Sequence, residues 1–201
     1  MSKKPALATL ALMMGVASGA MAQTPTPDGS IRFQMQRSVA VGKAGCMPHG
    51  AANVTVKSYG EFEILHLDAS GLPPNAGFDL FVIQVPNAPF GLSWYQGDMQ
   101  SDATGHAVGT FIGRFNEETF IVAPGVTTAP VVHDTDAATN PQTDPVHTYH
   151  VGLWFNSPQD AAKAGCPTTV TPFNGEHNAG IQALSTTQFP KDKGPLRNLK
   201  P

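Results

Sequence analysis

Between Glu61 and Phe115 the sequence reads EFEILHLDASGLPPNAGFDLFVIQVPNAPFGLSWYQGDMQSDATGHAVGTFIGRF. Apolar runs of strand length alternate there with Pro, Gly, Asn and Asp. Proline removes a ladder donor and glycine loosens the backbone, so this punctuation limits regular elements to a few residues each. Gly71-Leu72-Pro73-Pro74-Asn75-Ala76-Gly77 must be a loop for that reason. The stretch is predicted to supply strands over Glu61 to Asp68, Phe78 to Val85, Leu92 to Gln100 and His106 to Phe115. Phe78 to Val85 (FDLFVIQV) is apolar on both faces and reads as a strand buried on both sides. Asp102-Ala103-Thr104-Gly105 is a turn signal, so the strands flanking it are expected to pair as a hairpin.

The pattern continues on either side. Ile31, Phe33 and Met35 alternate with Arg32, Gln34 and Gln36, the period of a half-buried strand. Val41 to Ala52 reads as a Gly-rich loop carrying Cys46, and Val54 and Val56 mark a second short strand. Thr119 to Ala123, His147 to Phe155, Thr168 to Thr171 and Ile181 to Thr186 add further short strands. Ser157 can cap a helix that starts at Pro158 and stops at Gly165. Few helix-forming runs exist elsewhere. The pattern predicts an all-β fold, an antiparallel two-sheet sandwich with one short helix near 158–164; an open barrel is the alternative.

Gly-Leu-Pro-Pro at 71–74, the alternating strand after it, the strand bearing Trp94 and the Asp-x-x-Gly turn resemble the immunoglobulin-like (Greek key) sandwiches of exported bacterial proteins. The resemblance covers about a third of the chain. Its motifs are structural, so it implies a fold and no activity. The Cys-Trp-Cys spacing of antibody domains is not reproduced, because Trp94 lies between cysteines too far apart for it.

Lys3 and Lys4, the apolar run Leu7 to Val16 and the small-residue site Ala20-Met21-Ala22 form the pattern of a secretory signal peptide over 1–22. The chain is then expected to divide into a flexible leader at 23–30, a single β-sandwich domain at 31–188 and a C-terminal tail at 189–201. Loss of Lys3 and Lys4 moves the formal charge from −3 to −5. With no Lys/Arg cluster, no nucleic-acid partner is expected. No further apolar stretch is long enough to span a membrane after cleavage. The two cysteines, Cys46 and Cys166, are expected to form a disulfide in an oxidising compartment, periplasmic or extracellular. Closing so long a loop is worth about 4–5 kcal/mol on a chain-entropy basis.

Of seven histidines, His66, His147, His150 and His177 are the candidates for a copper or zinc site, with Cys46-Met47-Pro48-His49 as another soft-ligand cluster. None stands in HExxH, CxxC or His-x-His spacing. Asp134, Asp136, Asn140 and Asp144 lie in the long irregular segment Pro124 to Val146 and offer oxygen ligands for calcium, without the EF-hand template. Glu61 and Glu63 share a strand face and are expected to be solvated rather than catalytic. Trp94-Tyr95, Tyr149 and Trp154-Phe155 are expected to serve core and sheet packing rather than a sugar-stacking platform. Gly175-Glu176-His177-Asn178-Ala179-Gly180 is the most site-like short stretch, and Glu176, His177 and Asn178 are its binding-loop candidates. No Gly-x-Ser-x-Gly elbow is found. The expectation is an exported non-enzymatic protein that binds a small ligand or partner, or serves a structural role in the envelope or outside the cell. The alternatives are a histidine-based metalloprotein and a calcium-stabilised adhesion module.

Overall fold

The computed structural model describes residues 24–26, 28–119, 145–171 and 173–200. Strands β1 (Thr24–Pro25), β2 (Ile31–Arg37), β3 (Ala51–Ser58) and β4 (Glu63–Ser70) come first, with helix α1 (Val39–Ala44) between β2 and β3. Strands β5 (Gly77–Ile83), β6 (Ser93–Gln100), β7 (Ala107–Gly113) and β8 (Glu117–Thr119) follow. Beyond lie β9 (Pro145–His147), β10 (His150–Phe155), helix α2 (Pro158–Lys163) and β11 (Gln182–Ser185).

Hydrogen-bonded neighbours run β6-β5-β10-β11-β2-β3-β4-β7, and every pairing is antiparallel. β1 adds to the start of β2, while β8 and β9 form a separate ribbon. The main sheet curls until its end strands approach, giving a nearly closed, barrel-like sheet. Phe111 of β7 closes that seam. Gly109 on its own strand and Gly97 on β6 leave room for its ring, and a Cβ at Gly109 would come within 2.6 Å of it.

The fold is all-β as the punctuation predicted, but the two-sheet immunoglobulin-like division is not confirmed. One ladder passes through every strand of the main sheet without a break. The expected β6–β7 hairpin is also absent. The Asp102–Gly105 turn does form, with Asp102 N–H donating to His106 O at 2.8 Å. The strands leave it near each other but without a ladder between them, and loop 71–76 packs against the turn: Ser101 Oγ donates to Pro73 O at 2.6 Å and accepts from Ala76 N–H at 2.9 Å. β6 takes its ladder from β5, and β7 takes its from β4.

The barrel interior follows the predicted alternation. Ile31, Phe33 and Met35 of β2 are buried while Arg32, Gln34 and Gln36 are exposed. Burying each large side chain of this kind removes about 1.5–3 kcal/mol worth of apolar surface from water. β5 is buried on both faces, also as predicted. Phe78, Leu80 and Val82 join the main core, whereas Phe81 and Ile83 join Trp154 in a second cluster outside the barrel.

Cys46 and Cys166 are disulfide-bonded across 120 residues, with Cα atoms 5.4 Å apart. Each follows a short helix. α2 starts and stops where Ser157, Pro158 and Gly165 implied. α1 occupies the region read as a loop: Ser38 Oγ accepts from Val41 N–H at 3.1 Å, and Gly45 ends the helix in the left-handed conformation.

Four smaller expectations change. The leader is held, since β1 pairs with β2 and the Thr26 hydroxyl donates to Ser30 O at 2.8 Å. The strand read over 147–155 divides into β9 and β10 at Thr148-Tyr149. Thr168 to Thr171 forms no strand and only bridges Thr171 to Ala179. The C-terminal tail packs down: Leu196 and Leu199 are buried, and Leu196 N–H donates to Tyr149 O at 3.1 Å. The signal-peptide segment, the rest of the Thr119 to Ala123 strand and the Asp134, Asp136, Asn140 and Asp144 cluster lie outside the described residues. Among the described residues, no helix is long and apolar enough to cross a membrane.

Candidate functional site

The outer face of β5 and β10 is covered by a second layer. Loop 84–92 curls back, with Gln84 N–H bonded to Leu92 O at 3.0 Å and Val85 N–H to Phe90 O at 3.1 Å. That curl puts Phe90 edge-on to Trp154, with ring centres 5.0 Å apart. Phe173 enters from loop 171–181 and packs 4.9 Å from Trp154 and 5.6 Å from Phe81. Aromatic contacts of this kind, edge-to-face for Phe90–Trp154 and Phe173–Phe81 and tilted for Phe173–Trp154, add about 0.5–1.5 kcal/mol each beyond their buried area.

One position on that covered face is acidic. Asp79 stands between Trp154 of β10 and Asp98 of β6 in the ladder. It is fully buried, neither carboxyl oxygen makes a hydrogen bond of regular geometry, and the Asp98 and Asn174 side chains are its polar neighbours. Burial, and after it the Asp98 and Glu176 carboxylates, push its pKa up to about 7.

Tyr95 and Asp98 owe their shared position to a bulge. Three residues apart on a regular strand, they would face opposite sides. The register shifts between Leu80, opposite Gly97, and Phe81, opposite Tyr95, which leaves Gln96 unmatched. Both side chains therefore point outward, and Tyr95 Oη donates to Asp98 Oδ1 at 2.7 Å. Burial and the Asp98 carboxylate hold the phenol above its usual range, so it stays neutral.

Loop 174–179 completes the arrangement. Asn174 Oδ1 accepts from Asn178 N–H at 2.9 Å and Ala179 N–H at 3.1 Å. Its Nδ2 donates to Asn156 O at 3.0 Å and Asn178 Oδ1 at 3.1 Å. The amide thus folds the loop and ties it to the end of β10. Asp79, Tyr95, Asp98, Phe173, Asn174 and Glu176 line a cleft of about 720 Å³. Ser157 also borders it, but its hydroxyl caps α2, accepting from Asp160 N–H at 3.1 Å and donating to Asp160 Oδ2 at 2.6 Å. The cleft is rich in acceptor oxygens and has one aromatic wall.

Of the binding-loop candidates, Glu176 and Asn178 line this cleft. His177 does not; it is exposed, with a left-handed φ of 56° at the loop tip. The metal candidates are scattered. His66 is on β4 and contacts Thr110 Oγ1 at 3.2 Å. His147 stacks on Tyr149 with ring centres 5.2 Å apart. His150 is buried, with Nε2–H donating to Lys191 O at 2.9 Å, which leaves Nδ1 to accept from the Thr186 hydroxyl at 2.9 Å. Burial lowers its pKa to about 4, so the ring is neutral. Cys46 is consumed by the disulfide. Among the described residues no three His, Cys, Asp or Glu side chains converge on a metal position.

Two further expectations are corrected. Glu63 is fully buried rather than solvated, because Arg114 reaches its Oε1 at 3.3 Å and Phe115 N–H bonds its Oε2 at 3.1 Å. Trp94 and Tyr95 are 48% and 47% exposed, so they lie outside the core, although Tyr95 packs on the sheet against Phe81; Trp154 and Phe155 are buried as expected. The reading from sequence missed Asp79, Tyr95, Asp98 and Asn174 as site residues. Two signals were available: a lone carboxylate inside FDLFVIQV, and Gly97 within a strand, which marks a bulge.

Compared with known proteins, the chain matches no family model, no curated protein and no solved structure.

Proposed function

We propose that the chain is an exported binding protein of the periplasm or extracellular space, and that it holds a small polar ligand in the cleft between β6 and loop 174–179. One observation carries this reading: Asp79, fully buried at the base of the cleft, has neither oxygen in a hydrogen bond of regular geometry, and the charged groups beside it are two further carboxylates, Asp98 and Glu176. A buried polar group left unmatched costs about 1–3 kcal/mol, and more when charged. A partner arriving from outside accounts for keeping it. The cleft volume falls within the range of small-molecule sites, about 300–1,000 Å³. Export is supported by the pattern over 1–22 and by a disulfide of the kind that persists in oxidising compartments.

The test is a thermal-shift screen of the protein from Gln23 onward against small polar metabolites and polyols, repeated on Asp98→Asn. A ligand of this cleft raises the melting temperature with saturation, and the shift shrinks in the variant. A screen in which no compound acts, or every active compound shifts both proteins equally, overturns the reading.

A further inference from the structure

Resting on that reading, we infer that the ligand is an organic cation, an amine or guanidinium on a short apolar body, with Asp79 as the buried counter-ion of its charged head. The balance of donors and acceptors points there. Three of the cleft's donors are engaged internally, Tyr95 Oη on Asp98, Asn174 Nδ2 on Asn156 and Asn178, and the Ser157 hydroxyl on Asp160, which leaves the Asn156 and Asn178 amides as its side-chain donors. Its acceptors are in excess, with three carboxylates, Asp79, Asp98 and Glu176, and no lysine, arginine or histidine in the wall. A sugar needs donors and acceptors from its site together, whereas an ammonium or guanidinium offers only donors. The Phe173 and Tyr95 rings supply the apolar wall and can face a cation. A bare metal ion fits less well, since no three carboxylates converge on one point among the described residues.

Binding of such a cation is coupled to a proton. The groups facing Asp79 are Asp98 and Tyr95 from β6, Glu176 and Asn174 from the loop, and the uncharged Trp154 from β10. None is cationic, so at mildly acid pH the empty site keeps a proton on Asp79. The arriving ammonium forms an ion pair with the carboxylate, and the displaced proton passes to the buffer. No other bond changes.

Isothermal titration of the protein from Gln23 onward with agmatine, spermidine and phenethylamine, and with glucose and calcium as comparators, tests this. The expected result is saturable binding of at least one amine. At pH 6 its heat depends on the buffer's ionisation enthalpy, and its affinity rises about tenfold from pH 6 to pH 8 as the competing proton leaves. Asp79→Asn abolishes the proton release and weakens binding at least tenfold. Glu176→Gln, on an exposed loop position, weakens it several-fold with an unchanged melting temperature. The inference is overturned if none of the three amines binds, if calcium or glucose alone binds, or if both variants keep full amine affinity. A neutral compound acting through Asp98 would overturn it while leaving the binding function intact.

Discussion

Asp79 and His150 sit at opposite ends of the covered face of the β5–β10 pair, one opposite Trp154 and the other opposite Ile83. Their burial has opposite consequences for stability. With a pKa near 7, folded Asp79 keeps a proton that the unfolded chain, with a usual value of 3.8, releases. Its contribution is full below pH 3.8 and is lost as pH rises toward 7. His150 is held near 4 against a usual 6.5, so its contribution is present above 6.5 and lost as pH falls toward 4. Between those limits the slopes oppose each other at up to about 1.4 kcal/mol per pH unit each. Urea unfolding should therefore show nearly flat stability from about pH 4.5 to 6.5. Asp79→Asn should become acid-sensitive, and His150→Gln should lose stability toward neutral pH. Flat profiles in both variants would contradict this assignment. Neither role was legible beforehand. His150 is a ligand candidate in sequence because sequence does not reveal that Thr186 and Lys191 occupy its two nitrogens. Asp79 stands in sequence as a single charged position inside the apolar run FDLFVIQV.

At the level of elements, legibility followed the strength of local signals. β2 could be read because its alternation is strict, and α2 because Ser157, Pro158 and Gly165 bound it. α1 carries similar punctuation in Ser38 and Gly45, but two valines and Gly42 in six residues hid it. Ser38 binds that helix to the sheet as well as capping it, since its hydroxyl also donates to Gln182 O. Ser38→Ala should cost about 1–2 kcal/mol in chemical unfolding, more than an exposed serine would. A change below a few tenths of that would remove α1 from the stabilising framework. The β6–β7 hairpin failed for a different reason. The turn was right, but a turn fixes only the local reversal, and the ladders to β5 and β4 decide which partners the strands take. The bulge at Gln96 is equally non-local, because it is defined by the register of β5, and with it went the grouping of Tyr95 with Asp98.

For the molecule as a whole, the all-β class was legible from Pro and Gly spacing, but one sheet against two was not. Both arrangements use the same alternation; only the pairing of β11 with β2 and of β10 with β5 makes the ladder continuous. The docking of the tail is not legible because Leu196 and Leu199 stand among prolines and lysines, and their burial depends on a surface made by distant strands. The disulfide was read from compartment logic and is present. The double variant Cys46→Ala/Cys166→Ala should lose up to about 4–5 kcal/mol and melt roughly 10–20 °C lower. An unchanged melting temperature would mean that the unfolded chain is already restrained without the bond.

The strand order carries one more consequence. β2, the first long strand, has its last residues paired with β11, the last strand in the described chain. β5 likewise waits for β10 on one side. A chain emerging N-terminus first, from a ribosome or a membrane pore, has unsatisfied strand edges until its final quarter is free. Such a layout delays completion of the fold until emergence is nearly finished, with contacts of long sequence separation that form slowly. It leaves the nascent polypeptide threadable, and it makes the unpaired edge of β2 the surface a holding chaperone would have to cover in the interval.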